Sequence, residues 1–407
     1  MNGSLLLVIP PVIRKVDGVF EAEVDFSHNL IAYLANFSHV TIASPMILND
    51  KKKDSFRSVP LSKIKNSDRL TYISLPFAYR EDKYLRHYLK IRTLLRTEIA
   101  RADYLLFSPH AKYDWATLAA LQAIKMKRKF DIESDWAHES VQRLQLASLP
   151  LGLNKVRKTL WMHSFLRTVR KCFANSSLAL LQGQDVFDTY KYIAPNPQRV
   201  LNVQVSSEDY LSPLLLDEKL RRIMAGNVLT ISYAGRMVDM KGPLDWLKAI
   251  HGAVDAGVTL QAVWYGDGPL MPQMQKQAAQ LGLKTKIRFP GVVGRKEVMT
   301  GVGDADLFLF CHKTKESPRC LGEALAAGCA IVGYDSAYSR ELIAIHGGGE
   351  FVEVGNWQAL TDIIVGLDRD REKLKRLTKA AAASGKLLDR DRAMQNRIDL
   401  IKKYLSV

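Results

Sequence analysis

Short apolar runs rich in β-branched residues alternate along this chain with longer stretches in which apolar positions recur every three or four residues. The first half carries LLLVIP, HVTIASP, LTYISLP, DYLLFSP, KFDIESD and LALLQG; the second carries VLTISYAG, LQAVWYG, IRFPG, ADLFLFC and CAIVGYDS. Near-continuous apolar runs of this length suit strands buried on both faces of a parallel sheet. Between them the spacing predicts helices, among them residues 243–256, 270–281 and 322–327. Strands alternating with helices imply right-handed crossovers, and two such sets imply two doubly wound α/β domains. A strand gives way to the polar stretch VQVSSEDYLSPLLLDEKL at residues 203–220, and the tail from Asp368 onward is strongly helical. The expected division is therefore residues 1–208, residues 209–385 and a last helical segment, 386–407, that reaches back onto the first domain.

A chain of 407 residues is too long for one ordinary core, and two domains of roughly 200 residues are expected. Hydrophobic residues at 47% and charged residues at 25% describe a globular protein. No apolar run approaches the length of a membrane-spanning helix. MNGSLLLVIPPVI lacks a basic leader and a small-residue cleavage site, and reads as a first buried strand instead of a signal peptide. Cys172, Cys311, Cys320 and Cys329 form no CxxC pair and no metal spacing, which predicts reduced thiols in a cytoplasmic protein.

Charge changes this picture. Lys and Arg number 58 against 42 Asp and Glu, a net charge of +16 that attracts nucleic acid, anionic headgroups or phosphate-bearing substrates. From Val141 to Gln184 there is no Asp or Glu, only Arg143, Lys155, Arg157, Lys158, Arg167, Arg170 and Lys171. Trp161, Phe165, Val169 and Cys172 recur there at helical spacing, with Arg167, Arg170 and Lys171 on the opposite side. Such a helix fits a membrane interface, and it equally fits an amphipathic helix covering its own domain. A membrane-adjacent basic face is expected somewhere on the first domain, with peripheral contact at the inner face of an anionic membrane. Nucleic-acid binding would need basic residues interleaved with stacking aromatics, or a recognisable reading helix, and neither is evident.

In open parallel sheets ligands bind outside the carboxyl ends of the strands. Two facing domains would place a cleft there, so residues just after a strand are the candidates. In YAGRMVDMKGPLDWLKAI, Arg236 and Lys241 flank a short loop that opens a helix at Gly242 and Pro243, an arrangement suited to a diphosphate. Alone it also fits surface charge. In VWYGDGPLMPQMQKQAAQLGL, Gly266, Gly268 and Pro269 build a tight turn around Asp267, before IRFPGVV. In HKTKESPRCLGEALAAGCAIVGYDS, Glu316 and Glu323 bracket the start of a helix that ends at Ala-Ala-Gly; carboxylates there can complement the helix dipole or bind hydroxyls.

Together, in this order and spacing, these segments resemble the nucleotide-sugar-binding domain of retaining glycosyltransferases with the GT-B fold, glycosyltransferase family 4. The matching pieces are Gly235-Arg236 with Lys241-Gly242, Gly266-Asp267-Gly268-Pro269, Phe289-Pro290-Gly291, and Glu316 to Gly328 with the AIVGYDS strand after it. The resemblance covers roughly residues 229–343 and implies two Rossmann-like domains, a UDP- or GDP-sugar donor, no cofactor and no metal. It gives Arg236, Lys241 and Glu316 catalytic roles: the cations neutralise the departing diphosphate and Glu316 sits by the donor sugar. Glu323 would accept hydrogen bonds from the ribose, the backbone around Gly291 and Val292 would read the base, and Ser317, Cys320 and Leu321 would offer amides to the phosphates. Gly266 and, in the first domain, Gly18 would lie near the donor. The family separates its two glutamates by seven residues, whereas six lie between Glu316 and Glu323, so Lys315 occupies the first glutamate's ungapped place. Either a shortened loop lets Glu316 reach that spot, which is the favoured reading, or the first carboxylate is missing.

On the acceptor side, Glu133, Asp135 and His138 of FDIESDWAHES stand where the family has a histidine beside the reacting sugar, without a clean match. Glu21, Glu23 and Asp25 could bind acceptor hydroxyls or form a solvated first helical turn, while His110 and His312 read as structural. The resemblance implies hexosyl transfer with retention, usually described as front-face attack assisted by the leaving phosphate. The basic first domain points to a lipid-linked or membrane-proximal acceptor, as in bacterial surface polysaccharide or glycolipid synthesis. A soluble acceptor and a non-catalytic nucleotide-sugar-binding subunit are the alternatives.

Overall fold

The computed structural model describes residues 3–10, 12–47, 58–201 and 203–406, so Met1, Asn2 and Pro11 of the opening stretch lie outside the described residues. The chain divides into two units, residues 1–201 with 391–407, and residues 202–390. These bounds lie a few residues from the expected ones because the polar stretch after the first unit is held by the second. Asp209 there pairs with Arg295, the Leu211 amide donates to the Ala326 carbonyl at 2.9 Å, and the Arg390 amide donates to the Val205 carbonyl at 2.8 Å.

The first unit contains β1 (Ser4–Val8), β2 (Ile13–Val16), β3 (Val19–Glu23), α1 (Val24–Asn36), β4 (His39–Ile47), β5 (Ser58–Pro60), β6 (Leu70–Leu75), α2 (Glu81–Arg101), β7 (Tyr104–Phe107), α3 (Trp115–Lys125), β8 (Asp131–Ser134), α4 (His138–Ala147), α5 (Leu153–Ala174), β9 (Leu178–Gln182), α6 (Gln184–Tyr190) and β10 (Pro197–Val200). Strands β10, β9, β8, β7, β1 and β4 run in that order as parallel neighbours, and β6 adds to β4. Beyond β4, β2 and β3 form an antiparallel hairpin to which β5 adds. The pattern of apolar runs did not anticipate β2, β3 or β5, while β10 is the strand expected just before the polar stretch.

Alternate residues of the parallel strands feed two cores. Leu6, Val8, Leu105, Phe107 and Ile132 pack with Leu95, Trp115, Phe165 and Val169 of α2, α3 and α5. Leu5, Leu7, Leu106, Leu178 and Leu180 pack with Leu30, Leu34 and Phe37 at α1, and with Met394, Ile398, Ile401 and Leu405. These last four lie on α15 (Arg390–Leu405) at helical spacing, each almost wholly buried. Burial of about 2 kcal/mol apiece makes that helix an integral wall of the first unit.

The second unit contains α7 (Pro213–Met224), β11 (Leu229–Ala234), α8 (Pro243–Asp255), β12 (Leu260–Tyr265), α9 (Met271–Gln280), β13 (Ile287–Gly291), α10 (Arg295–Asp304), β14 (Leu307–Phe310), α11 (Arg319–Ala326), β15 (Ala330–Tyr334), α12 (Ala337–Leu342), β16 (Gly349–Val352), α13 (Trp357–Arg369) and α14 (Arg371–Gly385). Its strands are all parallel in the order β13, β12, β11, β14, β15, β16. The connection therefore reverses direction between β11 and β14, and that switch point opens a crevice beyond the carboxyl ends of those two strands. LFLF and AIVGY are buried along their whole length, as helices on both faces require. Among the described residues, no helix is long and apolar enough to cross a membrane.

Candidate functional site

The loops after β11, β12 and β14 meet at the switch point because glycine lets their backbones touch. Gly242 holds φ +63°, and a Cβ there would stand 2.1 Å from the Cys311 carbonyl oxygen. Gly266 holds φ +126°, and a Cβ there would stand 2.2 Å from the Gly235 carbonyl oxygen. No other residue fits either position without moving a neighbouring loop. Backbone hydrogen bonds then join the loops: Met237 to Asp267 at 2.9 Å, Lys313 to Met240 at 2.9 Å and Gly266 to Gly291 at 2.7 Å.

This scaffold brings Lys241 and Glu316 together. Lys241 Nζ donates to Glu316 Oε2 at 2.7 Å, with both side chains mostly buried at 13% and 11% exposure. Thr314 donates to Glu316 Oε1 at 3.3 Å, and His312 Nδ1 lies 3.8 Å from the same oxygen. His312 Nε2 and the Tyr233 hydroxyl are 2.7 Å apart in the interior. Burial, and then the charge of Lys241, holds the His312 imidazole well below its ordinary range, so it stays neutral. Burial drives Tyr233 well above its ordinary range, with Cys320 and Glu316 adding to the shift. Lys315 is exposed, whereas Glu316 turns to the lysine. Arg236 stands exposed on the loop that Lys241 closes.

A second cluster lies one turn into α11. Glu323 Oε1 accepts from Arg295 Nη1 at 2.9 Å, and Arg295 Nη2 reaches Asp209 at 2.8 Å and the Gln204 carbonyl at 3.2 Å. Sequence reasoning missed Arg295 and Asp209. The usable signal was an arginine opening the helix after IRFPGVVG. Reasoning also missed Lys313, whose Nζ lies 3.3 Å from Asp245 and 3.7 Å from Asp239 while its amide donates to the Met240 carbonyl next to Lys241. Ser317 and Leu321 are buried, no side chain caps α11 at Pro318, and burial pushes the Cys320 thiol up to about 12, which makes it a poor nucleophile. Gly291 closes β13 with φ +77°, and Val292 after it is 44% exposed.

The first-unit residues occupy different surroundings. The link from β1 to α1 is not a simple loop but the β2–β3 hairpin. Asp17 and Gly18, both at positive φ, form its two-residue tip, so the glycine serves that turn. Glu21 accepts from the Ser58 hydroxyl, and Glu23 takes the N-cap position of α1 with Asp25 in its first turn. Glu133 faces inward, where it pairs with Arg397 of α15 and accepts from Gln182 at 2.7 Å. His138 is buried, with Nδ1 2.8 Å from the Tyr190 hydroxyl and Nε2 3.0 Å from the Pro109 carbonyl. Burial lowers it to about 4. Both side chains therefore have structural tasks in the first unit, and Asp135 is the exposed member of that trio. His110 stacks on Trp136. The four cysteines are unbridged, with Cys172, Cys311 and Cys329 buried.

Lys241, Glu316 and Arg236 at the switch point, with Glu323 held at the next turn, stand where a phosphorylated ligand binds in doubly wound sheets. The sequence of this unit, residues 219–384, matches the family described as "Glycosyl transferases group 1". That likeness is confined to the second unit. A putative glycosyltransferase, EpsF, of Bacillus subtilis (strain 168) is 30% identical over 121 residues, 30% of this chain and 31% of EpsF. The chain spans 31% to 45% of the length of the curated relatives it matches. Among solved structures, Anabaena HepE in complex with UDP and glucose aligns over 98% of each chain with TM-score 0.67 at 15% identity. WaaG, a glycosyltransferase involved in lipopolysaccharide biosynthesis, aligns over 98% of this chain and 99% of its own with TM-score 0.67 at 13% identity. The whole chain thus has a GT-B fold, two Rossmann-like units in one polypeptide.

Proposed function

We propose that this protein is a glycosyltransferase that moves a hexosyl group from a nucleotide diphosphate donor to a hydroxyl acceptor. The observation that carries the proposal is the Lys241–Glu316 pair at the switch point, with Arg236 beside it. When a diphosphate arrives, Lys241 can exchange Glu316 for a phosphate oxygen, and the freed carboxylate can accept hydrogen bonds from sugar hydroxyls. Arg236 can take two further phosphate oxygens, and the first-turn amides of α11 add donors. Glu323, delivered by Arg295, is the proposed ribose acceptor, with Gly291 and Val292 at the base. The leaving group departs as a dianion stabilised by these cations, so the proposed reaction proceeds without metal and, with the leaving phosphate assisting the acceptor, with retention.

HepE with bound UDP favours a uridine donor, though GDP-sugars remain in the test. We propose a lipid-linked or membrane-proximal acceptor in surface polysaccharide or glycolipid synthesis, and a cytoplasmic protein working at the inner membrane face; the basic first unit and the likeness to WaaG support this. Incubation with a panel of UDP- and GDP-sugars should raise the melting temperature for one donor, since ligand at 100 times its Kd adds about 2.7 kcal/mol. Transfer should persist in EDTA, and NMR of the product should show the donor's anomeric configuration. A strict requirement for added divalent metal, or an inverted product, would overturn the corresponding step.

A further inference from the structure

The first unit carries a surface that the donor chemistry does not use. Helix α5 packs inward through Met162, Phe165, Val169 and Phe173, but its first two turns face water with apolar residues. Leu151 just before the helix is 91% exposed, and Leu153, Val156 and Leu160 on one face of it are 89%, 58% and 69% exposed. Isolated exposed leucines are ordinary, whereas four within ten residues form a patch that water disfavours. Beside the patch a cavity of about 480 Å³ opens between α4 and α5, lined by Leu146, Leu149, Trp161, Tyr113, Arg157 and Lys158 among others.

The charge around this surface is one-sided. No acid occurs from Val141 to Gln184. Of the acids nearest to it, Glu139 already pairs with Arg143 and Arg170, and those pairs hold its carboxyl below its ordinary range. Glu81 lies on the cavity wall, hydrogen-bonded to Tyr113. Arg157 and Lys158 are exposed at the cavity rim, one helical turn from the leucines. The patch therefore offers apolar anchors, an aromatic and exposed cations within residues 151–161. A soluble anion would use the cations and leave the leucines wet, while a neutral apolar partner would leave the cations unused. An anionic amphiphile uses both.

We propose that the loop before α5 and its first two turns dock on an anionic lipid surface, with Leu151, Leu153, Val156 and Leu160 entering the acyl boundary and a phosphate-bearing headgroup lying against Arg157 and Lys158 at the mouth of the cavity. This gives a defined surface to the membrane-proximal acceptor proposed above, and it rests on that reading for what the lipid carries.

The test is co-sedimentation of the full chain with phosphatidylglycerol–phosphatidylcholine vesicles and with phosphatidylcholine vesicles, at about 0.1 M salt. Binding to the first and not the second is expected. Leu151→Asp with Leu153→Asp should abolish it, and Arg157→Ala with Lys158→Ala should weaken it about tenfold or more, since each lost cation near an anionic surface costs about fivefold. Both double variants change exposed side chains and should keep the wild-type melting temperature. Inorganic phosphate at millimolar concentration should not displace the protein from vesicles; displacement would mean a soluble anion site and overturn the proposal, as would wild-type binding by either variant. The UDP-induced rise in melting temperature, measured on the same samples, should be unchanged throughout. Its absence in the wild type would count against the donor site and leave the vesicle result standing.

Discussion

The two units place charged side chains near strand ends in opposite ways. In the second, Lys241, Glu316 and Arg236 sit on glycine-welded loops beyond β11 and β14, where Lys241 and Glu316 partner each other and Arg236 is exposed. In the first, the acids of β8 turn inward. Glu133 is held by Arg397 and Gln182, and Asp131 is fully buried, its carboxyl pushed well above the usual range by burial and then by Glu133. On the proposed function, the same residue types serve exchange in one unit, while they brace the other. What separates them is whether the backbone carries the charge past the end of the sheet or leaves it within.

That contrast can be broken most forcefully at Lys241. Lys241→Ala should lower transfer about a thousand-fold or more and remove the UDP-induced stabilisation, with circular dichroism unchanged. Wild-type turnover would mean that the pair is only structural. The counterpart in the first unit is Arg397→Ala, which leaves Glu133 buried and uncompensated; urea unfolding should show a loss of about 3 to 4 kcal/mol, with nucleotide affinity retained by the folded fraction.

His138 gives a subtler contrast through pH. Its folded value of about 4 lies below the ordinary 6.5, so folding keeps it neutral while the unfolded chain takes up a proton as pH falls. Its contribution is present above 6.5 and lost on acidification towards 4. Against His138→Gln, the wild type should therefore lose about 3 kcal/mol of relative stability across that window. A pH-independent difference would show that the imidazole is not enclosed in solution. Asp114, buried and raised to about 6, titrates in the opposite sense, so only the difference between the two proteins is diagnostic. The smallest effect is expected at Arg295→Met, which removes the Arg295–Glu323 pair. UDP affinity measured by calorimetry should change by about 1 kcal/mol, because the pair is partly open to solvent.

The second unit was legible because each of its ligand-side loops needs glycine for a steric reason, and glycine at fixed spacing is visible in a sequence. Gly242 and Gly266 are required by carbonyls that a Cβ would strike. Arg295 and Asp209 were not legible, since their meeting depends on the chain bringing residue 209 alongside α10, which no local pattern encodes. In the first unit the β2–β3 hairpin was overlooked although Asp17-Gly18 stands between alternating apolar and polar residues, the usual signal for a two-residue turn. Glu133 and His138 misled for the opposite reason: polar residues near the end of β8 have the pattern of a site, and only Arg397 and Tyr190, distant in sequence, show that they are bracing.

Helix α15 closes a core whose other walls are assembled from residues before position 201. On the ribosome, the lobe made first therefore cannot seal until nearly four hundred residues have been translated, while the lobe made second can finish before it. A fragment cut at residue 201 should be a poor surrogate for the whole, and a short splice carrying 391–407 should be the remedy. Birth order and completion order run in reverse.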